Sequence, residues 1–163
     1  MIDFCLHKRK LGNGLTLLGS ENQRVPLVSL IAFVFVGSDQ NPLKRPGLAA
    51  ITSRLLEEGT QSYSAGQISE ILENAGGTLS SFSSCELSGI SMCISPEHLC
   101  VSIDLLQEML MFPCFPQDRF EFERRRVLNH LRAFKDDPCV VGDNQFNHRI
   151  YANTPLQYPS LGI

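Results

Sequence analysis

Gly47-Leu48-Ala49-Ala50-Ile51-Thr52-Ser53-Arg54-Leu55-Leu56-Glu57-Glu58-Gly59-Thr60 carries the start, body and stop of one helix. Pro46 and Gly47 mark where it begins, and the run reaches about Glu58. Gly59 then supplies the residue type that most readily takes the left-handed exit of a helix. Immediately upstream, Gly37 to Pro46 is a polar loop with two prolines. Before it, Leu27-Val28-Ser29-Leu30-Ile31-Ala32-Phe33-Val34-Phe35-Val36 is apolar at both alternating sets of positions. That pattern predicts a central strand covered on both faces. Asn13-Gly14 is a turn signal, and residues 14–19 read as a strand.

The elements downstream come in pairs. Ser64-Ala65-Gly66-Gln67 has the form of a capping box, with Ile68, Ile71, Leu72 and Ala75 at helical spacing behind it. Gly76-Gly77 ends that helix. Residues 78–84 and 87–94 read as two strands, the second alternating Ile90, Met92 and Ile94 with Ser91 and Cys93. Ser95-Pro96 opens another helix, whose stripe is Leu99, Ile103, Leu106 and Leu110. A longer helix over 117–136 carries Phe120, Val127, Leu131 and Phe134 on one face. Asp136-Asp137-Pro138 closes it, and a further helix spans about 139–151. The order predicts an α+β fold, a mainly antiparallel sheet with helices packed on one face, in a single domain over 1–163.

Composition narrows the function classes. With 163 residues, 43% of them hydrophobic and a formal net charge of −3, the chain can build one core and offers no cationic face for a phosphate backbone. Arg124-Arg125-Arg126 reads as a solvated helix face with one or two paired arginines. Met1-Ile2-Asp3-Phe4-Cys5-Leu6 lacks the cationic and long apolar regions of a secretory signal, so a cytoplasmic location is expected. The longest apolar run, Leu27 to Val36, is too short for membrane insertion. The six cysteines are expected as free, buried thiols. Cys85, Cys93, His98 and Cys100 lack the paired spacing of a structural zinc site.

Several strings, in order, resemble the N-terminal domain of the insulinase, pitrilysin and mitochondrial processing peptidase family. Leu11-Gly12-Asn13-Gly14-Leu15 is similar to its opening. Val36-Gly37-Ser38 is similar to the run before its active-site loop. Gly47-Leu48-Ala49 and Glu58-Gly59-Thr60 bracket its active-site helix. Ser64-Ala65, Ala75-Gly76-Gly77, Glu123-Arg124, Asp136-Asp137-Pro138 and Tyr151-Ala152-Asn153-Thr154-Pro155-Leu156 follow in sequence.

That resemblance implies a chemistry and, here, its loss. The family uses His-x-x-Glu-His, two histidines on one helix face for zinc and a glutamate between them as general base, plus a later glutamate ligand. The first histidine falls on Ala50, the base on Ser53 and the second histidine on Arg54. Counting on from Arg54, the later glutamate falls on His130. Ala50 has no donor atom, Ser53 is no base at neutral pH, and Arg54 has no lone pair. No zinc or other cofactor is therefore expected. Ser80-Ser81 stands where the family has Asn-Ala on a strand beside the substrate. Glu123 matches a glutamate that the family keeps near the metal.

The resemblance implies a non-catalytic, peptidase-like partner subunit. It would associate with a peptide and with an active family subunit, as an oligomer enclosing substrate. Two readings stand beside it: a structural scaffold subunit of a larger complex, and an active hydrolase using unrelated residues. The last residues, Tyr158 to Ile163, resemble family sequence well before the domain's final strands, so the domain is expected to be C-terminally incomplete. Arg54 is expected to pair with Glu123 and so supply the charge zinc would bring, or else to pair with Glu58 along its own helix. Glu57 and Glu58 read as surface charge at a helix end. His7, His98 and His148 receive no role.

Overall fold

The computed structural model describes residues 5–22 and 24–162, so the targeting argument from residues 1–4 lies outside them. Two antiparallel sheets and five helices are present among the described residues. Strands β1 (Leu6–Lys10) and β2 (Thr16–Ser20) form an exposed hairpin. Its turn is the Asn13-Gly14 pair: Gly14 takes φ +90, and the Asn13 side chain accepts from the Leu15 amide at 3.1 Å. The strand Leu6–Lys10 gives little apolar signal, because Lys8, Arg9 and Lys10 dominate it.

The second sheet has the order β3-β5-β4, antiparallel throughout, from β3 (Val28–Val34), β4 (Thr78–Ser83) and β5 (Ser88–Ile94). Here the sequence expectation needs correction. The apolar run read as the central strand is an edge strand among the described residues, with Ile31 59% and Phe33 47% exposed. The central strand is β5, whose serine, glycine and cysteine weaken its apolar signal. Register explains the two faces. Leu30, Met92 and Leu79 lie in one cross-strand row, and Ile31, Ser91 and Ser80 in the next, pointing to the opposite face.

The helices α1 (Leu48–Leu55), α2 (Ala65–Asn74), α3 (Leu99–Met111), α4 (Gln117–Lys135) and α5 (Pro138–Ile150) follow the expected order. The core joins Ile68 and Leu72 of α2, Ile90 and Met92 of β5, and Leu105 and Met109 of α3, so α2 and α3 cover one face of the sheet. The Ser64–Gln67 capping box forms as read. The loop before α1 is held at both ends. A Cβ on Gly37 would meet the Cys85 carbonyl oxygen at 2.1 Å, so only glycine lets the loop lie against the β4–β5 turn. The buried Asn41 then accepts the Ala49 amide at 3.0 Å, capping α1 from a distance. All six cysteines are free, but they are exposed or half-buried rather than buried. They sit on loops and outer faces that the core does not use.

Candidate functional site

Helices α1 and α4 meet beside the outer edge of β4 and enclose a cavity of about 410 Å³. Ala50, Ser53 and Arg54 line it from α1, Glu123 and Arg126 from α4, and Ser80 and Ser81 from β4. Three of the four positions that the resemblance assigns to metal and base therefore lie on one wall.

Their chemistry differs sharply. Ala50 is buried and offers a methyl group. The Ser53 hydroxyl is also buried and donates to the Ala49 carbonyl at 2.9 Å, so it is committed to its own helix. Arg54 points across to α4, its Nη1 lying 3.7 Å from Glu123 Oε2. Glu123 is the buried residue of α4, its side chain 1% exposed against 30% for Arg54. Its other oxygen, Oε1, accepts from Arg126 Nη1 at 2.5 Å, one turn further along α4. Oε2 accepts no hydrogen bond among the described residues and has Arg54 as its nearby charge.

The expected Arg54–Glu123 pair is present, then, but the closer cation is Arg126. Residues three apart on a helix are neighbours, so the Glu123/Arg126 spacing already held this signal. The arginine triplet behaves as read: Arg124 pairs with Glu121 at 3.3 Å and Arg126 with Glu123. His130 lies two turns beyond Glu123 on α4, is exposed, and is not among the residues that line the cavity.

Glu57 and Glu58 are not simply surface charge. Glu57 Oε1 accepts the backbone N–H of Ser81 across the cavity. Glu58 pairs with Arg119 at 3.4 Å rather than with Arg54. Burial pushes the Glu58 carboxyl above its usual range; Arg119 opposes this, while Glu123 and Glu57 add to it.

A zinc ion needs three lone-pair donors and an open position. This wall offers one carboxylate flanked by two guanidinium groups, a methyl and a committed hydroxyl. That donor set does not fit the ion. Among the described residues no cluster of three or more His, Cys, Asp or Glu side chains could hold a metal. No helix of the described residues is long and apolar enough to cross a membrane.

Residues 17–162 match the sequence pattern of the insulinase family, peptidase family M16. The chain belongs to that family. It is 24% identical over 150 residues to the uncharacterized zinc protease YmxG of Bacillus subtilis, covering 92% of this chain and 37% of that protein. It is 30% identical over 146 residues to the non-peptidase homolog YmxG of Helicobacter pylori, covering 87% of this chain and 33% of that one. In fold it matches an inactive M16 peptidase domain from Pseudomonas fluorescens, with a TM-score of 0.88 at 21% identity over 96% of this chain and 38% of the other. A protease from Helicobacter pylori matches with the same TM-score at 20% identity, covering 98% of this chain and 39% of that one. The chain thus spans little more than a third of the length of these M16 relatives.

Proposed function

We propose that this M16 chain is a non-catalytic peptidase-like subunit that pairs with another family subunit and helps enclose a peptide. The observation that carries this reading is the Arg54–Glu123–Arg126 cluster on the cavity wall. A guanidinium at the second-ligand position repels a dication and cannot donate a lone pair. Together with Arg126 it also neutralises the buried Glu123 carboxylate. The names of relatives support the reading too, since one is a non-peptidase homolog and one an inactive domain. The free edge of β4 beside the cavity suits an extended peptide added as a further strand.

The test has two parts. Metal analysis of the protein after dialysis is expected to find no stoichiometric zinc. Zinc bound near one ion per chain and contacting residue 50, 54 or 130 overturns the proposal. Incubated alone with an unfolded peptide, the chain is expected to leave it intact. Added to a family subunit with an intact His-x-x-Glu-His, it is expected to raise cleavage. Chelator-insensitive cleavage by the chain alone would instead assign the activity to other residues.

A further inference from the structure

We propose that Glu57 is a latch on the β4 edge, holding the backbone donor that an incoming peptide strand must use. The inference rests on the peptide-enclosing reading above and concerns the regulation of that same site. In an antiparallel pair each residue turns both of its backbone polar groups either toward its neighbour or away from it. The Ser81 amide points away from β5, because it donates to Glu57 Oε1. Leu79 and Ser83, two residues to either side, therefore face outward as well. All three line the cavity, so one side of it is the unpaired edge of β4, with the central donor already taken.

A carboxylate is a stronger acceptor than a peptide carbonyl. A peptide docking in this register must displace Glu57 before it can bond to Ser81. The displaced carboxylate has a place to go. Arg54 lies three residues earlier in the last turn of α1, and Glu57 follows in the turn after it, its amide donating to the Arg54 carbonyl at 3.3 Å. The Arg54 guanidinium approaches Glu123 at 3.7 Å. The side chain thus has two alternative partners, the Ser81 amide with the edge closed and Arg54 with the edge open. The arginine at the old ligand position becomes the landing point that lets the edge open. A merely protective carboxylate, one that blunts an exposed edge against aggregation, would also hold Ser81 but would not control peptide affinity.

The experiment compares the wild type with Glu57→Ala and Glu57→Gln. Amide hydrogen exchange is read at Ser81, with Ile90 and Met92 of β5 as controls for folding. Binding of a short fluorescein-labelled peptide of alternating serine and valine is read by anisotropy. Glu57→Ala is expected to speed Ser81 exchange, and to tighten peptide binding, by about tenfold each, the loss of one charge-assisted hydrogen bond. The controls should not change. Glu57→Gln, which keeps a neutral acceptor, should fall between. Unchanged Ser81 exchange in Glu57→Ala overturns the latch, as does wild-type peptide binding as tight as that of the variant. Fast Ser81 exchange with no peptide binding by any of the three proteins overturns the enclosing reading instead, and the latch as its regulator.

Discussion

Glu123 is the buried side chain of α4, and its charge dictates what must surround it. A carboxylate taken out of water needs cations and donors close by, and Arg54 and Arg126 approach one oxygen each. Replacing both arginines by methionine should destabilise the protein by about 3–5 kcal/mol, because the charge would be left buried and alone. Arg126→Met should account for more of this than Arg54→Met, since Arg126 makes the true hydrogen bond. Adding Glu123→Met to the double variant should restore most of the loss. Urea unfolding of the series checks all three statements. Glu58 gives a pH prediction of opposite sense to that of most carboxylates. Burial raises its folded-state pKa above the ordinary 4.5, so the native state holds the proton more tightly than the unfolded chain. That contribution to stability is complete below the ordinary value and is lost as pH rises through the folded one. Glu58→Gln removes it. As pH rises from the ordinary value through the folded-state one, the wild type should lose stability relative to Glu58→Gln, as read from unfolding free energies across the range.

Elements were legible in proportion to how local their signals are. The helix from Ala65 to Asn74 was readable because its capping box is written within four residues, and both halves of it form. Ser64→Ala should cost about 1 kcal/mol, because it removes an acceptor from the Gln67 amide at the helix start. Thermal or urea unfolding checks it, with Ser62→Ala as the control, since the Ser62 hydroxyl plays no part in the cap. Strand order was less legible. The run from Leu27 to Val36 is the most apolar in the chain, and apolarity on both faces suggested the middle of a sheet. Its position at the edge is a matter of tertiary pairing, which period alone does not encode. The candidate site divides in the same way. Arg54 facing Glu123 could be reasoned from helix spacing and charge, and Arg126 could have been. The Glu57 contact with Ser81 joins residues 24 apart in sequence, and only the packing of α1 beside β4 creates it.

At the scale of the molecule, one face of the sheet is covered by α2 and α3 and the other is open. The open face is not polar throughout. Ile31 and Phe33 stand on it, and Phe33 meets Phe35 edge-on with ring centroids 5.9 Å apart. Beside them runs the backbone edge of β3, which pairs with no further strand among the described residues. An apolar face next to an unpaired edge is the kind of surface that associates, through strand pairing and area burial together. Its residues contribute little to the fold of the chain itself, because they are already exposed. Ile31→Lys combined with Phe33→Lys should therefore change stability by less than about 1 kcal/mol while opposing association. Two lysines on the edge strand place like charges against a second copy that approaches the same way, and must be desolvated against an apolar surface of any other family subunit. Sedimentation velocity across a range of concentrations should show the wild type associating and the double variant shifted toward monomer. The same variant should lose any enhancement of cleavage that the wild type gives an active family subunit, provided that β3 is the surface that subunit contacts. A wild type that stays monomeric at high concentration and still enhances cleavage, together with a double variant that enhances it equally, would move the pairing surface away from β3.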